Sequence, residues 1–579
     1  MAGLFLLREG DPDGTAAALA TARATFARQG LAATAFRLPG WAGLHAPYAE
    51  GGPAMFHADG DDLAAVAGTF AMDGRTGTPA LAALIAAADR LEPGWNRMSG
   101  HFVALVRRRG RTWLFGDRLG AFQLFRLDDR CFSTSFMAAA EQAPRLRFDA
   151  QGVYDWAFNV TALGDDTVLE QVRLLPAGAV VELTRAGLSE CRLSRPLPAG
   201  PDRTPLPERI ERHRAALDRV LAPHLDAGAP VHAPLSGGLD SRLLLAMLRR
   251  RGAAASVYVY GPPGDADVRI ATGIGDALGF PVRWTDKGAA AVTPDAFAEV
   301  VARNFDAMDA LPTFGNIFDN GGHLSAQDDR HAGGWPAASG GGGEVYRDFF
   351  YLPDRPFTAD AVARTFFARF VASDATALFD PHAFIARTRD RILHAVERPG
   401  DHRPLSRATV EQVYPRFRCR ALFGREISLE ARRSPYLMPF LEEPVIAEAA
   451  TLPAGLRHAG RFQSALLAAI DPALAAQPSA YGHHFAGPPG RRHRFDEWST
   501  RARPIWLRRH SYALHRRLRP MADEHGGLLD PDHLGRVIDL DYPAMRRFFR
   551  MDRIRDDGVR RRIACLEYLA ARLGSRLVR

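Results

Sequence analysis

The period of apolar and polar positions changes along this 579-residue chain. Up to about residue 190 the apolar residues come in short runs bounded by glycine and charged turns, the signature of strands. Gly100–Arg107, Thr112–Asp117, Phe122–Leu127, Phe132–Phe136 and Ala177–Leu183 are the clearest runs, and Ala16–Gln29 and Ala80–Arg90 have helical composition. Proline and small polar residues from Cys191 to Pro207 read as a linker. Beyond it a helix at Glu208–Leu225 leads into strict alternation: strand Val231–Leu235, helix Ser241–Arg251, strand Ser256–Tyr260, helix Asp267–Leu278, strand Pro281–Thr285. Alternation at this spacing predicts an α/β fold, a parallel sheet with crossover helices whose ligands bind at the carboxyl ends of the strands. Residues 295–480 read as mostly helical, broken at Gly333–Gly343. The expected division is 1–190, a linker at 191–207, 208–486, and a basic helical extension at 487–579.

Composition narrows the class. With 47% hydrophobic and 24% charged residues the chain is an ordinary globular sequence. It has no run of eighteen apolar residues and no signal-peptide pattern. Cys131, Cys191, Cys419 and Cys565 lie far apart without metal-ligand spacing, which fits a reducing, cytoplasmic setting. The net charge of +8 invites a nucleic-acid reading, but Lys287 is the only lysine and the arginines are mostly interleaved with acids. The excess therefore reads as codon bias, and neither a nucleic-acid nor a membrane partner is expected.

Two stretches carry chemistry. Leu235-Ser236-Gly237-Gly238-Leu239-Asp240-Ser241 sits between a strand and a helix. There glycines admit close backbone approach, and the helix N-terminus favours an anion. Ser236 and Ser241 add hydroxyls, and Asp240 suits Mg²⁺ held against phosphates. The string is not the Walker pattern, which requires Gly-Lys-[Ser/Thr]. About a hundred residues on, Ser339-Gly340-Gly341-Gly342-Gly343-Glu344-Val345-Tyr346-Arg347 offers a second glycine loop with a carboxylate behind it.

Together these stretches resemble the synthetase domain of glutamine-dependent asparagine synthetases and their relatives, β-lactam synthetases and lasso-peptide cyclases. The family carries Ser-Gly-Gly-x-Asp-Ser, intact here, and Ser-Gly-x-Gly-x-Asp-Glu, where Glu344 and Val345 replace the two acids. Upstream, Met98–Phe102, Asp117-Arg118-x-Gly120 and Thr134–Phe136 look like its N-terminal glutaminase. This implies an Ntn-hydrolase-like αββα sandwich ahead of an ATP-pyrophosphatase domain. Glu430-x-Arg432 and Pro439–Glu442 resemble a further stretch of the family. The resemblance implies ATP bound by Leu235, Ser236, Gly237, Gly238, Asp240, Ser241, Val259, Tyr260, Gly261, Ser339 and Gly340. It implies Mg²⁺ on Asp240 and Glu344, and catalytic roles for Glu344, Arg347, Glu430 and Arg432, with His483 and His484 as further candidates.

Two departures shape the expectation. The family's glutaminase attacks with a cysteine at position 2, where this sequence has Ala2, so no glutaminase activity is expected. A family lysine is missing from Tyr481–Phe485. The function expected is ATP-dependent amide formation through an adenylated carboxylate, with a small-molecule or peptide carboxylate and an amine donor as partners and a homodimer left open. Intramolecular cyclisation and a degenerate nucleotide-binding regulator remain the alternatives.

Overall fold

The short apolar runs at the start of the chain fold as two six-stranded antiparallel sheets in the structure, a computed structural model that describes residues 3–88, 94–225, 230–508, 514, 518 and 527–578. One sheet runs Val172–Leu174, Phe125–Leu127, Cys131–Ser133, Gly3–Arg8, Trp41–Ala46, Thr34–Leu38. The other runs Gly187–Arg192, Ala179–Thr184, Arg111–Gly116, Phe102–Arg108, Asp62–Gly68, Phe56–Asp59. Gly3–Arg8 and Asp62–Gly68 are buried along most of their length, so both of their faces must be covered. They pack on each other across the sheets, while helix Pro12–Arg28 covers the first sheet and Gly77–Ala87 the second. The result is the expected helix–sheet–sheet–helix sandwich. Met1 and Ala2 lie outside the described residues, as do the last two residues of the expected Ala80–Arg90 helix.

Two expected strands are cut short. Phe122–Leu127 pairs only from Phe125 onward. Phe132–Phe136 pairs only as far as Ser133, and Phe136–Ala140 is a helix. Its first turn is satisfied by a local cap and by a distant carboxylate. Ser135 Oγ accepts from Ala138 N at 3.1 Å, and the Asp309 carboxylate accepts from Phe136 N at 2.7 Å and Met137 N at 3.0 Å. A carboxylate arriving from residue 309 leaves no local trace in the sequence. The proline-rich segment after Arg192 is anchored at both ends. Arg195 is buried and its N–H meets Glu397 at 2.9 Å, while Arg209 reaches back to Asp202 at 2.6 Å.

The alternating region forms a five-stranded, wholly parallel sheet in the order Val282–Thr285, Ala255–Tyr260, Val231–Pro234, Ala337–Ala338, Tyr436–Leu437. The central strand buries Val231 and Ala233 completely, and helix Leu239–Arg250 buries Leu243, Leu244, Ala246, Met247 and Leu248. All five strands end at one edge, so the loops after Pro234, Tyr260, Thr285, Ala338 and Leu437 share it. Helices dominate the chain beyond Leu437. The longest of them, Asp557–Leu573, returns to pack on Ala150–Asn159 of the sandwich half.

Candidate active site

The loop Leu235–Gly238 leaves the central strand and turns into helix Leu239–Arg250, whose N-cap is Gly238 with no side-chain cap. Its first-turn N–H groups therefore have no side-chain acceptor and present the positive end of the helix dipole. The loop is held from within. Ser241 Oγ accepts from Ser236 N at 3.0 Å and lies 3.0 Å from Ser236 Oγ, which accepts from Gly238 N at 3.2 Å. Asp267 takes the Gly237 N–H at 2.9 Å.

The second glycine loop leaves the adjacent strand, Ala337–Ala338, and folds over the first. Its glycines are demanded by contact and conformation. A Cβ on Gly343 would lie 2.2 Å from Asp240 Oδ1, and Gly342 has φ +82°. This close approach brings Glu344 and Arg347 to Asp240. Arg347 donates to Asp240 Oδ2 at 2.5 Å, lies 3.4 Å from Glu344 Oε1, and donates to the Tyr481 hydroxyl at 3.1 Å. Gln463 Nε2 donates to Asp240 Oδ1 at 2.6 Å, and the Tyr414 hydroxyl donates to Glu344 Oε2 at 2.6 Å. Burial pushes the Asp240 carboxyl up to about 6, with Arg347 opposing and Glu344 adding to the shift. Arg347 is thus the cation lying between two carboxylates at the mouth of an uncapped helix.

Those two carboxylates suit a hard divalent cation that completes its shell with phosphate oxygens and water. Among the described residues no group of three or more His, Cys, Asp or Glu forms a self-sufficient metal site. Val345, where the resembled family has a second acid, is buried beside the loop and presents nothing to it.

Other expected site residues divide. Ser339 Oγ accepts from Gly341 N at 3.1 Å, and a Cβ on Gly340 would lie 2.8 Å from Ser241 N, so both belong to the paired loops. Leu235 is buried behind them, its N–H on Tyr258 O at 2.9 Å. Val259, Tyr260 and Gly261 end the neighbouring strand at the same edge. His483 and His484 follow Tyr481, the His483 ring 6.2 Å from the tyrosine's.

Glu430 and Arg432, expected to be catalytic, have their ionic partners outside this cluster. Arg432 donates to Asp309 Oδ2 at 2.9 Å and to Thr134 O at 3.2 Å, in the joint between the two halves. Glu430 meets Arg330 and His331, each at 2.8 Å. Burial works to raise its carboxyl, but these partners outweigh burial and hold it at about 2. Both charges are committed to buried pairs, which a sequence motif does not show. Glu430 instead helps line a cavity of about 200 Å³ with Lys287, His323, Arg330 and Glu426. There the Lys287 amine sits 4.0 Å from the Tyr260 ring centroid, and burial first, then Arg330, lower it to about 8. Gln463 and Tyr414 carry no signal in the sequence, because they come from distant helices that only the packing brings to Asp240 and Glu344.

A parallel sheet with paired glycine loops at its carboxyl edge and an uncapped helix makes an α/β site whose free N–H groups suit an anion. Residues 212–319, less than half of the chain, match the family model Asparagine synthase. No curated protein matches in sequence. Similar solved structures include a glutamine phosphoribosylpyrophosphate (PRPP) amidotransferase from B. subtilis complexed with ADP and GMP, at 15% identity, 49% of this chain, 65% of that chain and TM-score 0.22. Another is the allosteric regulatory enzyme of purine biosynthesis, at 13% identity, 49% of this chain, 64% of that chain and TM-score 0.22. The chain thus spans just under two thirds of each, and with overlap so low the sheet orders above stand as the description of the fold.

Proposed function

We propose that this protein is an ATP-dependent carbon–nitrogen ligase that adenylates a carboxylate and passes the acyl group to an amine. The observation that carries this reading is the convergence of Asp240, Glu344 and Arg347 on the uncapped N-terminus of helix Leu239–Arg250. Triphosphate laid over the Ser236–Ser241 loop meets the first-turn N–H groups and two hydroxyls. Arg347, held by Tyr481, turns its guanidinium from the carboxylates to the leaving pyrophosphate and balances charge there. Gln463 and Tyr414 keep Asp240 and Glu344 aimed while it moves. When bound between these carboxylates and the phosphates, Mg²⁺ supplies charge neutralisation for the leaving group. The substrate carboxylate oxygen bonds to the α-phosphorus as the bond to the β-phosphate bridge breaks. The amine then bonds to the acyl carbon, and AMP and a proton leave.

A second reading, nucleotide binding without turnover, is favoured by the burial of Val345 and by the absence of lysine from 481–485. Incubation with ATP, Mg²⁺ and a panel of carboxylic acids and peptides separates the two. AMP and pyrophosphate release, abolished in Asp240→Ala with unchanged circular dichroism, is the outcome expected. ATP binding without AMP release for every acid tried would leave the binder.

A further inference from the structure

Helix Arg491–Ala502 turns its aromatic side chains to solvent. Arg491, Arg492, Arg494 and Asp496 are exposed with them, while three other polar side chains face the protein. Glu497 accepts the Ala459 N–H at 2.7 Å, Arg501 meets Asp348 at 3.2 Å, and the His493 ring lies 5.1 Å from that of Tyr481. Its aromatic side chains face outward: Phe495 is 63% and Trp498 59% exposed, their rings 5.8 Å apart. The pattern continues past Pro504, where Arg508 is fixed to Phe350 O at 2.9 Å and Tyr351 O at 2.7 Å while Trp506 is 68% exposed. Leu507, Leu514 and Leu518 are exposed as well. Phe495 to Leu518 holds six of the twelve large apolar side chains exposed among the described residues. A surface helix normally turns such residues to the core.

Charge is concentrated in the same place. Residues 491–508 carry six arginines against Asp496 and Glu497, an excess of four. That excess repels a second copy of the same patch and selects an anionic occupant. Three occupants have that chemistry, and the apolar side chains choose among them. Leu507, Leu514 and Leu518 have no ring to stack on a nucleobase. An acidic peptide would dock in a groove that half-covers its anchors, whereas Trp506 and Leu518 protrude. Protruding tryptophan, phenylalanine and leucine ringed by arginine are what the headgroup region of an anionic bilayer accepts.

We propose that residues 491–508 dock this protein on an anionic phospholipid surface. No helix among the described residues is long and apolar enough to cross a membrane, so the contact is peripheral. This proposal departs from the expectation of no membrane partner, which rested on the lack of a long apolar run in the sequence. The docked helix would also sit beside the candidate site, since His493 lies against Tyr481, which accepts from Arg347.

The test uses the full chain and vesicles, and reads no ligase chemistry, so it stands apart from the function proposed above. Protein is floated with phosphatidylcholine vesicles and with vesicles containing about one third phosphatidylglycerol, at low and high salt. The expected result is binding to the anionic vesicles alone, weakened by salt. The combined variant F495S/W498S/W506S should lose at least about tenfold in partition with unchanged circular dichroism. R491Q, R492Q and R494Q should each lose up to about fivefold. Anionic vesicles left unbound, or bound equally by the aromatic variant, would overturn the proposal. So would failure to float together with capture of single-stranded RNA or of a polyglutamate peptide, which would assign the patch to those partners.

Discussion

Gly343 shows how one missing methyl sets the candidate site. A Cβ there would stand 2.2 Å from Asp240 Oδ1, so Gly343→Ala must push the second loop off the first or turn Asp240 away from Arg347 and Gln463. Catalytic groups displaced by about 1 Å lose on the order of 100-fold in rate. AMP formation by Gly343→Ala should fall by at least about that much, with a thermal midpoint close to wild type because the strain is confined to a loop. Equal turnover in the two proteins would show that the loops do not work as a pair. Lys287 gives a second prediction at this scale. Being the only lysine, it yields one side-chain signal when the protein is reductively methylated with ¹³C-formaldehyde. That signal should titrate near pH 8 rather than 10.5, because burial and the Arg330 charge disfavour the ammonium form. The amine is charged below that pH and neutral above it. A midpoint above pH 10 would place the amine in open water instead of the cavity beside Tyr260.

At the scale of elements, the helix Phe136–Ala140 and the hub at Asp309 explain each other. Asp309 is completely buried and accepts from Ser135 Oγ at 2.7 Å, Gln29 Nε2 at 2.9 Å and two first-turn N–H groups, while pairing with Arg432 at 2.9 Å and Arg425 at 3.2 Å. Burial alone would raise its carboxyl, but the two arginines and these donors hold it below its ordinary 3.8. A depressed carboxylate contributes stability that is complete above the unfolded value and lost as pH falls through the folded one. Asp309 therefore stabilises fully at neutral pH and ceases to do so only in acid, below about pH 4. Asp309→Ala strands two buried guanidinium groups, and removing one partner of such a cluster costs about 3–5 kcal/mol. Urea denaturation at pH 7 should show a loss of that order, shrinking towards pH 3. A loss under about 1 kcal/mol would mean that water reaches the joint.

For the whole molecule, the buried joint predicts how the chain comes apart. The sandwich half and the parallel-sheet half share Asp309, the Arg420–Asp165 pair at 2.5 Å and the return of helix Asp557–Leu573 onto Ala150–Asn159. Cleavage within residues 196–205, between the buried Arg195 and the anchored Arg209, should leave both fragments together on size exclusion, because no other segment need open. Fragments that separate without denaturant would show the joint to be weak.

The sequence by itself determined the alternation that makes the parallel sheet, since strand and helix periods are local consequences of side-chain geometry. It also marked both glycine loops, because closely approaching backbone restricts residue type wherever it occurs. Asp240, Ser241, Ser339, Gly340, Glu344 and Arg347 lie in or beside those loops, which the structure brings against one another. Only the tertiary structure decided that Glu430 and Arg432 are committed to other buried pairs and that Gln463 and Tyr414 aim the two carboxylates. It alone showed that the aromatic side chains of Arg491–Ala502 face outward. Each of these depends on which distant element fills the space beside a residue, and packing of that kind leaves no period along the chain.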